Sequence, residues 1–354
     1  MPRPIRAIIH PHNLEHNLAV IRQKIGQAKI WSVMKADGYG HGIKRIWRGL
    51  KASDGFAVLD LHEAVLLRKE GWQGPILLLE GFFQAADLVV IDQYQLTTSV
   101  HSRWQLAAIE QATLSQPISV YIKLNSGMNR LGFSVSEYSD IVDQLTHMAN
   151  VANVTLMSHF ANSDLPGGTQ APLEKIQHFS SLSLPTCIAN SGAVLWHQNT
   201  HYDWVRAGIV LYGASPSGKW ADIAAYHLKA AMTLQSEIIA IHHIEAGQSI
   251  GYGSKFTSEK PMRIATVACG YADGYPRHAP TGTPVWCQGR RCELLGAVSM
   301  DMLTIDISDC PEVTIGTPVE LWGENLPVDD VAQSAGTIGY ELLCALARRV
   351  PIDF

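Results

Sequence analysis

The sequence predicts an α/β chain, with a (β/α)8 barrel over residues 1–229 and a mostly-β domain over residues 230–354. Three observations predict it. Short aliphatic or β-branched runs alternate with longer helical patterns through the first two thirds of the chain. After about Lys229 the alternation gives way to strand-like runs punctuated by glycine and proline. No G-x-G-x-x-G follows the first strand, which makes an open doubly wound sheet the weaker alternative.

The strand runs come in order. They are Ile30–Met34, Gly55–Leu59, Pro75–Leu79, Gln95–Val100, Ile118–Leu124, Val154–Ser158, Thr186–Ala189 and Trp204–Arg206. Continuous apolar runs of this kind fit strands buried on both faces. Between them lie helical patterns. Asp60 with Glu63 forms a capping box ahead of Ala64, Val65 and Leu67, and Gly71 is placed to end that helix. Ser136 is read as the cap of another helix, with Tyr138, Ile141, Val142 and Leu145 on one face. Eight such β-then-α units over roughly 220 residues are the arithmetic of a TIM-type barrel.

In the second domain, Met232–Ile244 reads as a strand with a turn at Glu245-Ala246-Gly247. Leu303, Ile305 and Ile307 alternate with Thr304, Asp306 and Ser308, the pattern of a half-buried strand. A short helix over about Asp329–Arg348 closes the chain.

Hydrophobic residues make up 47% of the chain and charged residues 17%, a balance that supports a sizeable core. The formal net charge of -5, with no basic block, speaks against nucleic acid or anionic membrane as partner. No apolar run has the length a membrane helix requires. Prolines and histidines among the first dozen residues break up any signal-peptide core, so a cytoplasmic location is expected. The six cysteines form no C-x-x-C pair and read as reduced, mostly buried thiols. Fifteen histidines include no H-E-x-x-H, and no metal site is expected.

In a barrel of this kind the reacting groups stand at the C-terminal ends of the strands. Those positions hold Lys35, then Lys123, Asn125 and Arg130, then His159 and Asn162. Asn190, Ser191 and Gly192 follow, and then Arg206, Gly208, Ile209 and Tyr212. The set is rich in cations, amides and glycine-flanked backbone and poor in carboxylates. It suits an anionic ligand such as a phosphate, with a lysine available as an amine nucleophile. From position alone, Lys35 is equally well read as a barrel-end lysine paired to an acid.

The stretch Val33-Met34-Lys35-Ala36-Asp37-Gly38-Tyr39-Gly40-His41-Gly42 resembles the pyridoxal-phosphate motif of the alanine racemases. Lys123–Gly132, Ser158–Ala161, Ala189–Ser191, Arg206–Gly213, Gly251-Tyr252-Gly253, Gly270–Gly274, Ser299-Met300-Asp301 and Gly339-Tyr340-Glu341 follow in the family's order. No one piece is decisive, but together they are very specific and cover nearly the whole chain.

The resemblance implies pyridoxal 5'-phosphate as cofactor and Lys35 as the lysine bonded to it. Lys35 is also the base on the D-alanine face, and Tyr252 the base on the L-alanine face, since racemisation needs an acid and a base on opposite sides of a planar carbanion. A free phenol titrates at about 10, so the site must favour the phenolate. In the family this tyrosine reaches the other subunit's site, which implies a homodimer with shared active sites and a second domain that serves its partner. Arg206 resembles the arginine facing the pyridine nitrogen, held by His159. Tyr39, Ser191, Gly208, Ile209 and Tyr340 match the phosphate ligands, with Asn190 beside them. Arg130 and the Met300 backbone amide match groups that hold the substrate carboxylate, while Tyr271 and Asp301 line the access route. Lys123 matches a lysine that the family often carries carbamylated. Two positions depart from the pattern: Asn125 stands where the family commonly has aspartate, and Ala297 where many members have arginine.

The implied activity is interconversion of L- and D-alanine, serving peptidoglycan synthesis or alanine catabolism. The alternatives are a serine or broad-spectrum racemase and a barrel-type decarboxylase. A non-enzymatic pyridoxal-phosphate carrier resembles the barrel half only.

Overall fold

The structure, a computed structural model, describes residues 3–354. The chain begins with strand β1 (Arg6–Ile9). Eight strands follow: β2 (Lys29–Val33), β3 (Gly55–Val58), β4 (Ile76–Leu78), β5 (Thr97–Val100), β6 (Ile118–Lys123), β7 (Val151–Met157), β8 (Thr186–Cys187) and β9 (Trp204–Ala207). They form a closed barrel in which every neighbouring pair is parallel, and β9 closes on β2 with Trp31 opposite Arg206. All eight expected strands are present.

The residues explain the closure. Every residue of β3 and β4 is buried, as strands sandwiched between barrel interior and helices must be. Trp31 stacks on Trp204 at 4.4 Å between ring centroids, and its indole N–H donates to the Tyr121 hydroxyl at 3.0 Å. Gly55 lies against that ring. A Cβ there would fall 2.3 Å from a Trp31 ring carbon, so only glycine lets the two strands approach.

The helix after β3 runs Leu61–Lys69 and has the expected capping box, with Gly71 beyond it at φ +103°. The helix after β6 runs Val135–Thr146 and buries Tyr138, Ile141, Val142 and Leu145. Its cap position is Ser134, which corrects the expectation of Ser136. Ser136 lies inside the first turn, and Ser134 is the last residue with extended backbone.

By its contacts the chain forms two compact units. One comprises residues 18–38 and 42–211 and contains the barrel. The other comprises residues 3–17, 39–41 and 212–354. The second unit is built on β10 (Met232–Ile244), β11 (Ser249–Ile250), β12 (Phe256–Thr257), β13 (Met262–Val267), β14 (Pro284–Cys287), β15 (Arg290–Leu295), β16 (Leu303–Asp306), β17 (Pro318–Trp322) and β18 (Ile352–Asp353). Its sheet order is β13-β16-β15-β14-β17-β10-β1-β18, with β10 also pairing β13. The thirteen residues of β10 make this possible. Its first half pairs with β17 and its second half with β13, and an irregularity between Ile238 and Ala240 turns the strand between them. β1 adds antiparallel to β10 and takes β18 parallel on its other side.

β11 and β12 form a separate small hairpin. The closing helix expected over about Asp329–Arg348 is instead two short helices, Val328–Ser334 and Gly339–Cys344. Gly336 separates them at φ +73°, a conformation that breaks a right-handed helix.

Candidate active site

The barrel delivers its polar residues to one rim. Lys123 is the last residue of β6, Arg206 lies within β9, and Lys35, His159, Ser191 and Gly208 each follow the C-terminal end of a strand. Directly after Lys35 the backbone turns left-handed. Ala36, Asp37 and Gly38 have φ of +56°, +51° and +63°, and Tyr39 continues at +52°. Such a turn costs about 1–2 kcal/mol for each residue with a Cβ. It is held by Asp37, whose Oδ1 accepts from the Ile43 N–H at 2.9 Å and whose carbonyl accepts from the Gly42 N–H at 2.8 Å. Backbone strain of this kind persists where the surrounding structure fixes a functional group. The sequence reading did not find this turn, and the clustered glycines 38, 40 and 42 were its only signal.

Arg206 is buried and spends its guanidinium on the barrel end. Nη1 donates to the Cys187 carbonyl at 2.7 Å, and Nη2 donates to the Ser158 carbonyl at 2.6 Å and to His159 Nδ1 at 3.2 Å. Lys123 is buried too, and its Nζ donates to the Leu79 carbonyl at 3.2 Å. Burial first, and then the charges of Arg206 and Arg130, pull the Lys123 ammonium down to about 8. Lys35 adds to that repulsion and Glu80 opposes it. Burial and the same four cations hold His159 well below the usual imidazole range. A small recess beside this cluster is lined by Lys123, Asn125, Arg130 and His159.

Asn190 caps the next helix by accepting from the Ala193 N–H at 3.1 Å. The Ser191 hydroxyl oxygen accepts from the Gly208 N–H at 2.9 Å, which leaves its proton free to donate. Asn125 sits in a turn, where its side-chain oxygen accepts from the N–H groups of Gly127 and Asn129. An asparagine serves that turn as well as an aspartate does.

In the second unit, Tyr39 stacks against Tyr212 at 4.6 Å and lies 6.0 Å from Tyr340. Burial, with Tyr340 and Cys344 nearby, pushes the Tyr39 phenol far above its ordinary value, so it stays a neutral donor. Tyr252 stands at the tip of the β11–β12 hairpin and is 72% exposed. Tyr271, at 39%, and Met300, at 53%, are exposed as well. The turn at Tyr271 and the loop at Met300 are joined, because the Tyr271 and Ala272 N–H groups donate to the Ser299 and Met300 carbonyls at 3.1 and 3.0 Å. Ala297, where many family members have arginine, is buried beside Gly251.

The structure therefore brings Lys35, Lys123, Arg130, His159 and Arg206 into one electrostatic cluster, and joins Tyr271 to Met300 and Asp301. Sequence reasoning missed the two arginines that clamp this second group, Arg3 and Arg349. Each lies outside the quoted motifs, and no local pattern links residues 270 positions apart.

The barrel cluster fits an anionic, carbonyl-bearing cofactor. Lys35, Lys123, Arg130, Arg206 and a neutral imidazole act on one another at one rim, and the nearby Ser191 hydroxyl and backbone N–H groups suit phosphate oxygens.

The family model described as alanine racemase, N-terminal domain, matches residues 9–216, and that described as alanine racemase, C-terminal domain, matches residues 231–354. The chain is 54% identical to an alanine racemase of Erwinia tasmaniensis over 354 residues, covering 100% of this chain and 99% of the relative. It is likewise 54% identical to a catabolic alanine racemase of Salmonella typhimurium over 352 residues, covering 99% of each. The crystal structure of a biosynthetic alanine racemase from Pseudomonas aeruginosa superimposes with a TM-score of 0.95 at 42% identity, covering 99% of both chains. A barrel with these cations on its rim, a β unit carrying an exposed tyrosine hairpin, and full-length likeness in sequence and structure agree on one conclusion: the chain belongs to the alanine racemase family.

Proposed function

We propose that this protein interconverts L- and D-alanine with pyridoxal 5'-phosphate, using Lys35 and Tyr252 as opposed bases. The observation that carries the reading is the cluster of Lys35, Arg130, Arg206 and neutral His159 at the barrel rim. When bound, the cofactor supplies an electron sink that acidifies the α C–H of the substrate.

The chain's own groups then have distinct tasks. Lys35 Nζ holds the cofactor and moves the α-proton on the D-alanine face. Tyr252 Oη moves it on the L-alanine face. Arg206 would face the pyridine nitrogen, and its permanent charge would disfavour protonation there. Its fixed position is supported by His159 and three carbonyls. Tyr39, Ser191, Ile209 and Tyr340 would donate to the phosphate, with the Gly208 N–H orienting the Ser191 hydroxyl and Asn190 shaping the Ser191 turn. Arg130 and the Met300 N–H hold the substrate carboxylate, and Tyr271 and Asp301 border its access. Lys123 is carbamylated, adding carbon dioxide through its neutral amine and losing a proton, and the resulting anion orients Arg130.

The high exposure of Tyr252 and Met300 supports a homodimer in which each second unit completes the partner's site. Among the described residues no helix is long and apolar enough to cross a membrane.

The test is direct. L-alanine incubated in deuterated water should yield α-deuterated D-alanine, and the enzyme's Schiff-base absorbance should vanish in Lys35→Ala. Release of carbon dioxide instead would identify a decarboxylase.

A further inference from the structure

Asp273 lies in the turn after β13, and its side chain is fully buried. Four hydrogen bonds satisfy it. Arg3 donates twice, from Nη1 to Oδ1 at 2.8 Å and from Nη2 to Oδ2 at 3.1 Å. Arg349 Nε donates to Oδ1 at 2.7 Å, and the Gly270 N–H donates to Oδ2 at 3.0 Å. Burial pushes this carboxyl up, but the arginines and the Gly270 N–H outweigh it and hold the group below the ordinary carboxylate range.

Both arginines also grip the neighbouring loop. Arg3 Nη2 donates to the Asp301 carbonyl at 2.7 Å, and Arg349 Nη2 donates to the Asp301 carboxylate at 2.6 Å. The two backbones are pressed together, since a Cβ on Gly270 would lie 2.3 Å from the Ser299 carbonyl oxygen.

This clamp fixes a direction. The Ser299 carbonyl points at the Tyr271 N–H. In a trans peptide the N–H points opposite to the C=O, so the Met300 N–H is aimed away from the turn. It cannot rotate without breaking the Tyr271 N–H bond to the Ser299 carbonyl, and Asp273 holds the Tyr271 turn through the Gly270 N–H and the Met300 loop through the two arginines on Asp301.

We propose that Asp273, clamped by Arg3 and Arg349, is a positioning residue that aims the Met300 N–H and so sets how tightly the substrate carboxylate is held. The inference rests on the proposed role of Met300 in binding that carboxylate.

The test uses the cofactor-loaded enzyme. Arg349 is half-exposed, so Arg349→Met is expected to fold, with Arg349→Lys and Asp273→Asn as companions. Charge-assisted hydrogen bonds of this kind control binding by a factor of about ten or more. Arg349→Met should raise KM for both L- and D-alanine about tenfold while kcat changes less than about threefold. Arg349→Lys should recover part of the loss. The Kd of propionate, which keeps alanine's carboxylate without its amine, should rise in parallel by calorimetry.

A merely structural role lowers the fraction of active enzyme, so kcat would fall at unchanged KM and unchanged propionate affinity. That result, or no change in any of these values, overturns the proposal. A wild-type enzyme that forms no D-alanine overturns the racemase reading instead, and the propionate measurement still decides whether Asp273 positions a carboxylate site.

Discussion

Arg206 donates through Nη2 to His159 Nδ1 at 3.2 Å. A guanidinium has no acceptor, so Nδ1 must accept, and the imidazole is neutral with its proton on Nε2. Burial and the surrounding cations keep it neutral. The pair therefore places one permanent charge and one neutral dipole at the barrel rim.

Arg206→Glu should raise the ratio of transamination to racemisation, because a carboxylate there favours a protonated pyridine nitrogen. Chiral chromatography of alanine together with a pyruvate assay checks this, and an unchanged ratio refutes the role. Arg206→Lys should lower stability by about 2 kcal/mol or more, since one ammonium cannot reach the carbonyls of Cys187, Ser158 and Ile188 together. Denaturant titration reads that loss.

Tyr252→Phe separates the two bases. The loss of a positioned acid–base group costs about 10²–10⁴-fold, so racemisation should collapse in both directions. Exchange of the D-alanine α-proton with deuterated water should survive through Lys35, while exchange from L-alanine should not. Equal loss of both exchanges would refute two opposed bases.

Lys123 should be carbamylated in a pH-dependent way. Its ammonium is pulled down to about 8, and only the neutral amine attacks carbon dioxide. The neutral fraction therefore grows as pH rises through that value. The carbamate resonance of enzyme equilibrated with carbon-13 bicarbonate should be weak at about pH 6 and strong at about pH 9. A pH-independent or absent signal counts against the modification.

Asp329 is buried, accepts from the Ser215 N–H at 2.8 Å through Oδ2, and has no hydrogen-bond partner at Oδ1. Burial, more than any charge, raises its pKa to about 7. The folded state thus binds a proton that the unfolded state has released above the ordinary carboxyl range. On this group's account, stability falls as pH rises toward 7 and changes no further above it. Asp329→Asn removes the buried charge and should raise Tm by about 2–4 °C at pH 8, with the gap shrinking as pH falls below 7. Thermal scans across that range check the sign.

The barrel was legible in the sequence because strands buried on both faces favour apolar runs, as in β3 and β4, while β5, Thr97–Val100, is polar and was marked by its place in the alternation. The sequence also determined the rim residues, since a strand that ends in Lys123 or is followed by His159 fixes which end of the barrel each occupies. The tertiary structure decided what has no local signature. β1 pairs with β10 across more than two hundred residues, and such a pairing depends on which sheet edge is open, not on its own four residues. The left-handed turn after Lys35 runs against the preference of Ala36 and Asp37 and exists because surrounding hydrogen bonds outweigh it. The Arg3, Asp273, Arg349 and Asp301 cluster joins charges distant in the chain, and burial of Asp273 is what makes their meeting necessary.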